Sequence, residues 1–108
     1  MRSILMLNAV TRRERNAATS FVFDSINARG GWVDDVHMYS NKMTNIGFVL
    51  EAREIEPFLA ALSDYGIRLD ASAGRFAADD HTERKATLQL SFIHDEPDLR
   101  REIPAVPG

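Results

Sequence analysis

The chain has 108 residues, 44% hydrophobic and 27% charged, with no cysteine and a formal net charge of -3. That length suits one domain with a core of its own, and the lack of cysteine excludes disulfides, thiolate metal sites and cysteine nucleophiles. The acidic balance argues against general attraction to nucleic acid or to a membrane surface, and a cysteine-free chain fits a reducing cytoplasm, the compartment expected here.

The N-terminal run MRSILMLNAV stays apolar for only about seven residues and carries no small-residue cleavage pattern, too little for a signal peptide or a membrane span. It reads as a first strand, Ser3 to Val10, with Leu5, Leu7 and Ala9 on one side and Ile4, Met6 and Asn8 on the other. Thr11-Arg12-Arg13-Glu14 has the spacing of a capping box, which predicts a helix start at Thr11. Ala18, Phe21, Val22, Ser25 and Ile26 then mark one buried helical stripe, and Gly30-Gly31 supply the stop.

Gly30 to Ala52 is the centre of the chain. It reads as strands Trp32 to Ser40 and Ile46 to Ala52 around a polar turn, Asn41 to Asn45. The two-residue period puts Val36 and Met38 on one face and Asp35, His37 and Tyr39 on the other, while Ile46, Phe48 and Leu50 oppose Gly47, Val49 and Glu51. A second helix is expected from about Glu54, with Pro57 in its first turn, apolar Ile55, Phe58, Leu59 and Leu62, and Gly66 as its end. A long polar loop over about 70–85 precedes the last strand, Ala86 to His94, and the proline-bearing tail at about 95–108 cannot extend it.

Strand, helix, two strands, helix, strand is the β-α-β-β-α-β order. Under the right-handed crossover rule it predicts an α+β ferredoxin-like sandwich spanning 1–108 as one domain: a four-stranded antiparallel sheet of order 4-1-3-2 with both helices on one face. Leu5, Leu7, Val36, Met38, Ile46, Phe48, Leu50, Leu88, Leu90 and Phe92 would meet the helices. The opposite face would hold Ile4, Met6, Asn8, Asp35, His37, Tyr39, Val49, Thr87, Gln89, Ser91 and Ile93, and a second copy of the chain is the expected cover, through that face or the edge strands.

The run FVFDSINARGGWVDDVHMYSNKMTNIGFVLEA, followed by IEPFLAALSDYGI, resembles ACT and ACT-like regulatory domains over about the first two-thirds of the chain. The likeness lies in a helix ending at glycine, an extended strand, and a hairpin leading to a helix that ends at a second glycine. It implies a module that pairs with another and holds a small ligand, typically an amino acid, between its first strand-helix loop and a neighbouring subunit. By position, the ligand-binding residues would be Asn8, Thr11, Arg12 and Arg13 from the loop, with Trp32 and Asp34 on the receiving strand. The ligand expected from this is a small anion, an amino acid or an organic acid, with no cofactor.

Two further groups of residues have chemistry to weigh. Arg12, Arg13 and Arg15 fall at the expected helix start, against the macrodipole, which reads either as a solvated basic turn or as an anion site. Asp35, His37 and Tyr39 share a strand face and supply an acid, an imidazole and a phenol, the parts of a small monooxygenase-type or isomerase-type enzyme; residues two apart on a strand line a surface without having to touch. No metal site is expected: His94 lacks a second histidine at ligand spacing, and Asp79, Asp80, His81 and Glu83 lack the pattern of a cation loop. Nucleic acid is not expected either, because the open face offers only Tyr39 and His37 for stacking. A plain interaction module without a small ligand is the third function class open.

Overall fold

The computed structural model describes residues 4–70 and 76–93. The elements in chain order are β1 (Leu5–Thr11), α1 (Arg15–Ala28), β2 (Trp32–Ser40), β3 (Met43–Glu51), α2 (Ala52–Tyr65), β4 (Ile67–Leu69) and β5 (Glu83–Phe92). The fold is α+β, with one mixed five-stranded sheet of order β2-β3-β5-β1-β4.

The expected four-stranded antiparallel sheet of order 4-1-3-2 is corrected on two counts. Ile67–Leu69 pairs antiparallel with the end of β1 and takes the outer position expected for the last strand. The last strand itself lies between β1 and β3, parallel to β1 and antiparallel to β3. Two crossovers, β1 to β2 through α1 and β3 to β4 through α2, therefore both pass over β5, and a shared hand puts both helices on one face.

That face is the core. Leu7 and Ala9 of β1, Ile46, Phe48 and Leu50 of β3, and Leu88 and Leu90 of β5 are buried against Val22 and Ile26 of α1 and Phe58 and Leu62 of α2. Burying side chains of this size stabilises the fold by about 1.5 to 3 kcal/mol each, and the Phe48 and Phe58 rings meet at 5.2 Å, tilted by 57°. The division of faces in β1, β3 and β5 is the one the two-residue period predicts, but β2 corrects an expectation: Val36 and Met38 pair with Ile46 and Thr44 on the helix side, yet they are 42% and 61% exposed and join no core cluster, and the register of β2 shifts between Val33 and Asp35 and again between Met38 and Ser40.

Local boundaries moved where polar residues hid the pattern. Helix α1 starts at Arg15, and its N-cap is Glu14, whose carboxylate accepts the N–H groups of Asn16 and Ala17. Thr11 is still strand, so the capping-box reading fails and Arg12 and Arg13 stand ahead of the helix instead of inside it. The hairpin turn is shorter than expected, Asn41 and Lys42, with β3 starting at Met43. Helix α2 starts at Ala52, which places Pro57 in the second turn, where it forgoes the bond to the carbonyl four residues back.

Much of the expected 70–85 loop is ordered structure. The carbonyls of Thr82 and Asp80 accept the N–H groups of Ala52 and Arg53 at 2.8 and 2.9 Å, satisfying the start of α2, and Glu83 to Lys85 belong to β5. Residues 71–75 of that loop, His94 and the tail from 95 lie outside the described residues.

The two adjacent glycines divide their work. Gly30 has φ +83° with open space around it, so it provides the left-handed turn, whereas a Cβ on Gly31 would sit 2.2 Å from the Val49 carbonyl oxygen, so Gly31 permits close approach to β3.

Candidate functional site

The C-terminal ends of β1 and β5 lie side by side, because the two strands run parallel with Thr11 opposite Phe92. The start of β4 joins them, with Thr11 opposite Ile67. Thr11 is 2% exposed and ties this rim together. Its hydroxyl donates to the Gly66 carbonyl at 2.9 Å and accepts the Arg13 N–H at 3.0 Å, while its own carbonyl accepts the Ile93 N–H at 2.8 Å.

A cleft of about 290 Å³ opens at this rim, lined by Val10, Thr11, Arg12, Arg13, Gly66, Arg68 and Ile93. Three of these seven described residues are arginine. Arg68 reaches it because it pairs with Val10, on the sheet face away from the helices. Among the described residues the Arg68 side chain has no hydrogen-bond or ion-pair partner, its backbone being part of the β1–β4 ladder. Arg13 is different: its Nε donates to the Tyr65 carbonyl at 2.8 Å, and its guanidinium carbon lies 4.5 Å from the Tyr65 ring centroid. That ring stacks in turn on Phe21 at 4.0 Å, so Arg13 joins the end of α2 to α1 and has its terminal nitrogens left for the cleft. Gly66, with φ +113°, makes room for it, since a Cβ there would lie 3.2 Å from Arg13 Nε.

The first turn of α1 is not itself open to an anion. Glu14 already occupies the Asn16 and Ala17 N–H groups, and those two bonds hold its carboxyl below the ordinary carboxylate range. Whatever anion attraction this rim has comes from arginine side chains.

The other residues proposed from sequence fall elsewhere. Asn8 is exposed on the same sheet face as Val10, one step further along β1, beside the cleft and not in its lining. Trp32 and Asp34 lie at the start of β2, the far end of the sheet; Trp32 pairs with Val49, and Asp34 forms an ion pair with Lys85. One protomer therefore does not bring them to Arg12 and Arg13. Arg68 was missed by sequence reasoning; the one signal for it was the apolar-polar-apolar Ile67-Arg68-Leu69 after the Gly66 stop.

Asp35, His37 and Tyr39 do share the open face, and all three are exposed. The His37 and Tyr39 rings lie 5.9 Å apart, while no hydrogen bond joins the imidazole to Asp35 or Tyr39. General acid-base chemistry relies on such bonds and on enclosure, and neither is present at His37 in this protomer. Asp79 and Asp80 precede β5, and His81 faces Glu51, with Nδ1 at 3.1 Å from Oε1. The Glu51 carboxyl is held below its ordinary range, first by the hydrogen bond from Arg53 and then by that from His81. Among the described residues no three His, Asp or Glu side chains are grouped to hold a metal ion. No helix among them is long and apolar enough to cross a membrane.

Comparison with protein-family models, with curated proteins and with solved structures finds no match to this chain.

Proposed function

We propose that this protein is a small-anion-binding module of regulatory type, ACT-like in holding its ligand beside the loop that follows the first strand, and that it acts as a homodimer in the cytoplasm. The observation that carries this reading is the cleft at the end of β1, where Arg12, Arg13 and Arg68 converge. Converging guanidinium groups on a chain of net charge -3 are a local inversion of charge, and planar forks suit carboxylate or phosphate.

The homodimer rests on the same sheet face. Met6 is 70% exposed there, with Ile4, Trp32 and Ile93 also exposed, and no helix covers them. A second copy laid on this face would hide that apolar surface and close over the cleft, and it could bring Trp32 and Asp34 of its own toward the arginines, as the resemblance implies.

The test is a thermal-shift screen of organic acids, amino acids and phosphates against the wild type and Arg68→Gln, with sedimentation in parallel. A ligand at 100 times its Kd should stabilise by about 2.7 kcal/mol, and Arg68→Gln should lose most of that gain. A shift that survives Arg68→Gln would remove the cleft from consideration. A monomer at high micromolar concentration would remove the dimer.

A further inference from the structure

Resting on the homodimer reading, we infer the register of that dimer: two copies stack by their open sheet faces about a twofold axis that runs along β5, and each copy completes the other's cleft. β5 is the middle strand of the five, with β3 and β2 on one side and β1 and β4 on the other. An axis along it sets β3 over the partner's β1 and β2 over the partner's β4, at the same level along the strands.

The pairing registers then fix what faces what. One row across the open face holds His37, Asn45, Gln89 and Asn8, and Asp70 continues it, its N–H bonded to the Asn8 carbonyl at 2.9 Å. Under this axis Gln89 meets the partner's Gln89, Asn45 meets the partner's Asn8, and His37 meets the partner's Asp70. Carboxamides carry both donors and acceptors, so each can face its like. Asn45 Oδ1 is a buried atom with no hydrogen-bond partner among the described residues, so this row has bonding capacity its own protomer does not use. In the row nearer the start of β1, Met6, 70% exposed, comes down over the partner's Gly47, a position with no side chain of its own. In the row nearer the end of β1, Val10 meets the partner's Met43, and Arg68 meets the partner's Ser40 and Tyr39, which sets a ring against the cleft guanidinium. The two Lys85 side chains meet near the start of β5, each already paired with its own Asp34.

Charge selects this axis. The other twofold that aligns the two sheets runs across the strands, along the carboxamide row, and stacks Asp70 on Asp70 and His37 on His37. The axis along β5 sets a carboxylate against an imidazole at both ends of that row instead. It also leaves the partner's Trp32 and Asp34 at the opposite end of the stack from Arg68, so the partner's Tyr39 and Ser40 are the residues that close the cleft.

The test uses the full chain, whose lack of cysteine lets single thiols report position. With stacked sheets roughly 10 Å apart, a short bismaleimide should join Gln89→Cys to its own copy. Ser20→Cys, exposed on α1, should stay unjoined. In sedimentation, Met6→Glu should weaken the dimer at least about tenfold, and Asp70→Lys and His37→Glu at least about threefold each, whereas the two together should return to within about twofold of wild type. His37 and Asp70 lie about four strand spacings apart in one protomer, roughly 19 Å, so only the partner can supply that rescue. Circular dichroism checks that each variant is folded. Crosslinking at Gln89→Cys without the charge rescue would overturn the direction of the axis. A dimer indifferent to Met6→Glu, with Gln89→Cys unjoined, would overturn the stacked register and leave the homodimer standing through another surface such as the β2 edge. A wild-type chain that sediments as a monomer would overturn the homodimer reading itself, and this register with it.

Discussion

Arg13→Met should cost the folded chain about 1 to 2 kcal/mol, although it replaces an exposed side chain. The Nε donation to the Tyr65 carbonyl is a solvent-facing bond, so its contribution falls at about 0.5 to 1.5 kcal/mol. The guanidinium against the Tyr65 ring adds about 0.5 to 1 kcal/mol at an exposed position, and a cation beside the last carbonyls of α2 adds about 0.3 to 1 kcal/mol. Methionine returns part of the ring contact through its thioether, and the three contributions share one side chain, so they do not sum. Urea unfolding followed by circular dichroism measures the difference as a lower midpoint at unchanged slope. Arg68→Gln is the companion, expected within about 0.5 kcal/mol of wild type because Arg68 has no protein partner among the described residues. A loss below about 0.5 kcal/mol for Arg13→Met would refute the structural role and return Arg13 to a solvated turn. A large loss for Arg68→Gln would show that the cleft arginines hold the fold instead of awaiting a ligand.

Phe48→Ala should destabilise by about 3 to 5 kcal/mol, since the ring is fully buried against Phe58; a change under 1 kcal/mol by urea titration would refute the strand register. Gly31→Ala should cost about 1 to 3 kcal/mol by forcing β2 away from the Val49 carbonyl, and an unchanged melting temperature would refute that close approach. The Glu14 carboxyl, depressed by the Asn16 and Ala17 N–H groups, contributes stability that is fully present above its ordinary value of 4.5 and is lost as pH falls through the lower folded value. Glu14→Ala should therefore lower Tm at neutral pH and flatten the decline of Tm between pH 5 and pH 3; an unchanged decline would assign the acid sensitivity to other carboxylates.

The sequence showed most clearly what is periodic. The β3 face, the α1 stripe through Ala18, Val22 and Ile26, and the Gly66 stop all follow from side-chain spacing or glycine geometry, and all are found, whereas Val36 and Met38 of β2, expected under the helices, are exposed because spacing sets the side of a strand and not whether a helix reaches it. Strand order was misread because β4 has three residues, too few to establish a period, and because the pairing of β5 joins residues about eighty apart, which no local signal encodes. Thr11 misled for a chemical reason: a threonine three residues before a glutamate fits a capping box, yet its hydroxyl serves Gly66 and Arg13 across the fold. The arginine loop was legible as a broken rule, charge of the wrong sign near a helix start. Its partner Arg68 was not, because only the β1–β4 pairing brings residue 68 beside residue 10.

The inserted position of β5 explains why the cleft is where it is. In a wholly antiparallel sheet the end of β1 would be flanked by two strand starts. Placing β5 parallel to β1 brings two strand ends together, at Thr11 and Phe92. From β1 the chain runs toward α1 through Arg12 and Arg13, β5 ends at Phe92 with Ile93 beside it, and Gly66 turns the end of α2 back into β4 with Arg68 behind it. Adjacent strand ends can leave a gap at such a rim, and open sheets bind ligands beyond the carboxyl ends of parallel strands. Here three of the seven described residues that edge the gap are arginine, on a chain of net charge -3, and Arg13 is held by the Tyr65 carbonyl. A guanidinium already held in place has less conformational freedom left to lose, which is the property that the proposed anion binding would draw on.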